Sequence, residues 1–193
     1  MFDWMKKWTC GDMHKERRLK IFDAVYKHTG DVKKMVDIGC GLAREAEHYQ
    51  KKCGTELWLL DGDVSYTKNN QREVGFGDVS SMKFYNPISR LKESFDSRGM
   101  SYTFVDAYNI DIPEDVKFDL FYSSKSCGFH YPASTYREFV KKHSHKNSMV
   151  IFDIQNDSNQ DDFIVKNVVY EDEVARPRSK YLEIEFKHGV KDV

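Results

Sequence analysis

The chain has 193 residues, of which 40% are hydrophobic, 32% charged and 14% aromatic, and its 30 basic and 31 acidic side chains leave a formal net charge of −1. That is the balance of a globular domain with one buried core, and it supplies no global electrostatic pull toward nucleic acid. The four cysteines, Cys10, Cys40, Cys53 and Cys127, show no CxxC spacing, so neither a zinc site nor a disulfide framework is expected and a reducing cytoplasm is the default. The opening residues are too polar for a signal peptide, and no apolar run approaches the ~20 residues of a membrane span.

Phe2, Trp4, Met5 and Trp8 form an aromatic N-terminal segment, which either folds over a ligand or pads the domain surface. Over residues 12–29, Leu19, Phe22, Val25 and Tyr26 recur at three-and-four spacing and predict an amphipathic helix that Gly30 stops. Residues 34–38 then read as a strand. They run into Gly39-Cys40-Gly41, and a helix over 43–52 follows at once. Strand, glycine turn and helix start in this order mark where an open α/β sheet receives a nucleotide-like ligand. Gly39 and Gly41 let backbone approach that ligand without a Cβ in the way. Asp37 adds a carboxylate where a phosphate binder prefers N–H groups or a lysine. A ligand with hydroxyls and a cationic centre fits, and S-adenosylmethionine (SAM) fits better than a dinucleotide.

Residues 56–61 predict a second buried strand closing on Asp61, close to the ~20-residue interval at which a carboxylate meets ribose hydroxyls. Capping of a turn is the alternative role for Asp61. Residues 64–99 form a long connection, broken by Gly75-Phe76-Gly77 and Asn86-Pro87 and carrying a helix over 88–98; it is either a lid over the sheet's carboxyl edge or surface variation. A third strand, 102–105, ends in Asp106-Ala107-Tyr108, where a carboxylate can accept from an exocyclic amine such as adenine N6. A fourth, 118–123, is apolar on both sides of its pleat, as in the centre of a parallel sheet. A helix over 132–143 and a fifth strand over 148–154 follow, then strands over 164–170 and 181–187, whose link is too short and polar for a crossover helix and makes them antiparallel. The sum is a seven-stranded α/β sheet with helices on both faces, in one domain spanning 1–193.

With Asp37-Ile38-Gly39-Cys40-Gly41, Leu60-Asp61, Val105-Asp106-Ala107 and Phe118-Asp119-Leu120 in this order, the chain resembles the class I SAM-dependent methyltransferases. The resemblance implies a Rossmann-like three-layer sandwich, a mostly parallel seven-stranded sheet whose last strand is inserted antiparallel. It also implies that Asp37, Gly39 and Gly41 line the methionine part of SAM, Asp61 the ribose, and Asp106 with Ala107 the adenine. The family's first motif usually has a third glycine where this chain has Ala43. Ser124-Lys125-Ser126-Cys127-Gly128-Phe129-His130-Tyr131-Pro132 looks like a segment found in sugar O-methyltransferases, in which an aromatic often stands at the position of Cys127.

Methyl transfer to a sugar hydroxyl gains from a general base, and His130 suits proton removal near neutral pH. A structural histidine bonded within the turn before Pro132 is the alternative. Tyr131 could orient the acceptor, while Lys125 and Arg176 could hold an acidic group on it; each is otherwise a packed or solvated side chain. Asp153 could serve as a base or, with Asp157, Asp161 and Asp162, as a metal ligand, although solvated acidic loops are commoner and no metal is expected. The function expected is SAM-dependent O-methylation of a sugar or another small polar metabolite. A nucleic-acid methyltransferase is the competing enzyme, disfavoured by the neutral charge and by the absence of an Asn-Pro-Pro-Tyr-like motif. A non-catalytic SAM-binding or partner-binding module is the third possibility.

Overall fold

The computed structural model describes residues 12–63, 65, 86–128, 132–155, 162–172 and 179–187. Helix α1 (Asp12–Thr29) comes first. It buries Ile21, Phe22 and Val25, so the predicted stripe turns inward, with Ile21 joining it and Leu19 and Tyr26 half-covered. Strand β1 (Lys34–Ile38), helix α2 (Arg44–Cys53), strand β2 (Glu56–Asp61), helix α3 (Ile88–Ser97) and strand β3 (Tyr102–Asp106) follow. The chain continues through β4 (Leu120–Ser123), a 3₁₀ turn (Ala133–Tyr136), α4 (Arg137–His143), β5 (Met149–Gln155), β6 (Phe163–Asp172) and β7 (Ser179–Phe186).

The seven strands form one sheet in the order β3-β2-β1-β4-β5-β7-β6. β1 to β5 pair in parallel, and β7 lies antiparallel between β5 and β6. The expected architecture is therefore the observed one. From β1 the chain steps outward to β3, then returns to place β4 on the other flank of β1. Such a reversal opens a crevice at the carboxyl ends of the two strands where it occurs.

The helix expected over 132–143 is in part a 3₁₀ turn, and only Arg137–His143 is α-helical; the tighter winding starts directly after Pro132, which has no N–H to give. β4 begins later than expected. Phe118 instead gives its N–H to His143, and the Asp119 carboxylate accepts the N–H groups of Lys33 and Lys34 (2.8 and 2.9 Å). Residues 1–11, 64 and 66–85 lie outside the described residues. They include the aromatic N-terminal segment and most of the long connection before Asn86.

Helices α1, α2 and α3 cover one face of the sheet, where Tyr49, Leu59, Phe95 and Leu120 are buried together. α4, the 3₁₀ turn and the segment from Ala107 to Phe118 cover the other, around Phe121, Phe139 and Phe152. Tyr49 shows how α2 is seated. Its ring meets Phe22 of α1 edge-on at 5.1 Å, and its hydroxyl shares a 2.7 Å hydrogen bond with Thr29. Burying an aromatic side chain of this kind contributes roughly 1.5–3 kcal/mol.

Candidate functional site

The turn after β1 is shaped by the neighbouring strand. Gly39 and Cys40 both donate to the carbonyl of Leu60 (2.8 and 3.1 Å), and Gly41 donates to the Asp61 carboxylate at 2.8 Å. Gly39, Gly41 and Ala43 have φ of 67°, 47° and 49°, left-handed values that glycine adopts freely and alanine only under strain. They reverse the chain so that α2 starts pointing away from the sheet edge. A Cβ placed on Gly41 would meet nothing within 4 Å, so the surface above it is open to a ligand.

Asp61 ends β2 directly beside Asp106 at the end of β3. One Asp61 oxygen takes the Gly41 N–H and, at 4.0 Å, the Cys40 thiol, and the other takes the Gly62 N–H at 2.8 Å, leaving a lone pair on the second for a hydroxyl donor. Burial lifts its pKa to about 6 despite those two bonds. Asp106 accepts the N–H of Tyr108 at 2.9 Å, and Ala107 donates to the Asp61 carbonyl at 2.9 Å. Asp37, at the end of β1, is buried, and burial first, then the nearby Glu45 and Asp61, push its pKa well up. All six residues expected to hold a cofactor (Asp37, Gly39, Gly41, Asp61, Asp106 and Ala107) thus lie along the carboxyl ends of β1, β2 and β3.

Behind the turn, Arg98 braces it. Its guanidinium donates to the Leu42 carbonyl at 2.7 Å and bonds Glu47, which also takes Lys51 at 2.6 Å.

A row of polar side chains crosses the same sheet face on the other side of β1. Asp37 is paired with Tyr122 in β4, and Asp153 in β5 with Tyr181 in β7. The Tyr122 and Tyr181 rings stack at 6.2 Å, and the Tyr181 hydroxyl shares a 2.7 Å bond with Ser124. Arg18 of α1 reaches Glu45 at 3.6 Å above this row. The Tyr122 hydroxyl is buried with no hydrogen-bond partner among the described residues. Sequence reasoning placed Asp153 here but missed Tyr122 and Tyr181. Their only signal is the alternation of each strand, which sets both tyrosines on the face of Asp37.

Lys125 follows β4 with φ of 56°, a strained backbone at the mouth of the crevice. His130, Tyr131 and Arg176, expected to act on or hold the acceptor, lie outside the described residues, as do Asp157 and Asp161. Asp162 pairs with Arg137 at 3.2 Å. Among the described residues no three metal-ligating side chains gather, and no helix is long and apolar enough to cross a membrane.

Neither a family model nor a curated protein matches the chain. Solved structures do. The N-methyltransferase NodS from Bradyrhizobium japonicum WM9, in complex with S-adenosyl-L-homocysteine, superimposes over 93% of this chain and 90% of its own, with a TM-score of 0.58 and 11% identity. A methyltransferase from Pyrococcus furiosus matches over 86% and 82%, with a TM-score of 0.56 and 10% identity. The ribosomal protein L11 methylase from Lactobacillus delbrueckii subsp. bulgaricus matches over 91% and 80%, with 0.51 and 15%. The chain has the class I methyltransferase fold. In that strand order the switch point lies where β1 meets β4, next to the glycine turn.

Proposed function

We propose that the chain is a SAM-dependent methyltransferase, one domain over residues 1–193, that methylates a hydroxyl of a sugar or another small polar metabolite. The observation that carries this reading is the Asp61 carboxylate, bonded to Gly41 and flanked by Asp106 at the switch point of the sheet. Asp61 would hold the ribose hydroxyls, Asp106 and Ala107 the adenine, and Asp37, Gly39 and Gly41 the methionine portion. The open surface above Gly41 and the remaining lone pair on the second Asp61 oxygen fit such a group. When bound, SAM supplies an electrophilic methyl on a sulfonium.

The chain's own part is to align an acceptor and take its proton. Alignment carries much of the acceleration, up to roughly 7–11 kcal/mol in favourable cases. Tyr122, Asp153 and Tyr181, buried on strands β4, β5 and β7, and Ser124 just past β4 would form the polar floor beside Asp37 on which a hydroxylated acceptor rests. His130 would accept the hydroxyl proton, Tyr131 would orient the acceptor, and Lys125 and Arg176 would hold an acidic group on it.

Calorimetric titration with SAM and S-adenosylhomocysteine tests the cofactor step: binding to the wild type and its loss in Gly39→Arg and Asp61→Ala are expected, and no binding to the wild type refutes the reading. Labelled SAM with a sugar and nucleotide-sugar panel tests the acceptor class. Unchanged turnover in His130→Ala removes His130 as the base.

A further inference from the structure

We infer that the chain forms a symmetric dimer by pairing β6 with β6 of a second copy in antiparallel fashion. This goes beyond the proposed reaction and does not depend on SAM. β6 is the last strand of the sheet on its side. The large hydrophobic side chains exposed among the described residues, Ile164, Val165 and Val168, all lie on it, at 51, 38 and 57% exposure. An edge strand that shows apolar side chains and unpaired backbone groups is a template for another strand.

The pattern of the strand identifies the occupant. Residues 164–169 read Ile-Val-Lys-Asn-Val-Val, two apolar residues, two polar, two apolar, which is the same order from either end. With a two-fold axis between Lys166 and Asn167, Val165 faces the partner's Val168, and Ile164 faces the partner's Val169. A closed two-fold interface requires such self-complementarity.

The sheet geometry agrees. Val165 lies opposite Ile184 and Val168 opposite Leu182, both in the core on the α4 side, whereas Ile164 lies opposite Glu185 on the α1 side. Directly opposed residues share a face. The shift in register between Val165 and Asn167 is what brings two valines three residues apart onto one face. The same face then receives the partner's two valines.

Charge does not oppose the pairing. Lys166 is the one charged residue of the six and would face the partner's Asn167, and its ammonium is drawn back onto β7, to Glu185 at 2.8 Å. At the ends of the pair Asp162 and Glu171 would approach each other across the interface, but each has its own cation, Arg137 at 3.2 Å and Lys180 at 3.1 Å. Among the described residues no strand pairs with the outer edge of β6. Six paired residues make a small interface, so the dimer assembles with concentration.

Sedimentation equilibrium from about 1 to 500 μM protein tests this by mass action. The wild type is expected to pass from monomer to dimer, with slowed hydrogen exchange at residues 164–169. Val168→Lys and Val165→Lys should each raise the dissociation constant by roughly tenfold or more, and Val168→Ile should keep the dimer. Val168→Thr, nearly isosteric, gives the same loss if a lysine variant fails to fold. A wild type that is monomeric throughout, or a dimer indifferent to these changes, overturns the inference. So does a dimer that forms only after residues 188–193 are removed, since the chain's own tail is then the occupant of β6.

Discussion

The carboxylate of Asp61 accepts the backbone N–H of Gly41 at 2.8 Å, so the end of β2 sets the shape of the turn after β1. One side chain thereby joins the two strands at which the methionine and ribose portions of SAM are proposed to meet.

Asp61 also makes the site pH-sensitive. Its pKa is raised from 3.8 to about 6 by burial, so folding favours the protonated acid. The stability this contributes is complete below pH 3.8 and is lost as pH rises through about 6, on the order of 2–3 kcal/mol in all. Asp61→Asn does not titrate. Urea melts from about pH 4 to 8 should show the wild type losing ground to the variant as pH rises, while the variant binds S-adenosylhomocysteine at least about tenfold more weakly. A stability difference that stays flat with pH would sink the argument.

Ala43 holds a left-handed backbone, with φ of 49°. An L-residue there costs roughly 1–2 kcal/mol, against about 0.8 kcal/mol for burying one methyl. Ala43→Gly should therefore stabilise the ligand-free protein by about 0.5–1 kcal/mol, read as a higher denaturant midpoint at unchanged slope.

The buried Tyr122 hydroxyl has no partner among the described residues, and an unmet polar group costs about 1–3 kcal/mol. Tyr122→Phe should raise the melting temperature of the ligand-free protein. If the hydroxyl meets the acceptor, the same change lowers kcat/KM for that acceptor and spares S-adenosylhomocysteine binding. A lower melting temperature would show that the hydroxyl is satisfied in the folded chain.

Arg98 ties the end of α3 to Leu42 and Glu47. Arg98→Ala leaves the buried Glu47 with fewer cations and frees the Leu42 carbonyl, a loss of about 2–3 kcal/mol. Chemical denaturation reads the stability, and calorimetry should show weaker S-adenosylhomocysteine binding through a looser turn. Wild-type stability in Arg98→Lys would mean that charge alone, and not the forked donor, braces the turn.

Most of the scaffold was legible in the chain. The strand over 34–38, the glycine turn and the strand ending at Asp61 were readable because apolar runs and glycines act locally. The brace between Arg98 and Glu47 was not, because its partners are 51 residues apart and only packing of α3 beside α2 brings them together. The winding after Pro132 escaped too, since periodicity does not separate a 3₁₀ turn from the first turn of an α-helix.

By itself the sequence determined the α/β class, the seven strands and the acids that end β1, β2 and β3, since each follows from residues close to one another in the chain. Only the tertiary structure decided that Asp61 holds Gly41, that Tyr122 and Tyr181 stack beside Asp37, and that β6 ends the sheet order among the described residues. Those relationships depend on which strand lies next to which, and strand order is set by long-range packing and not by local pattern.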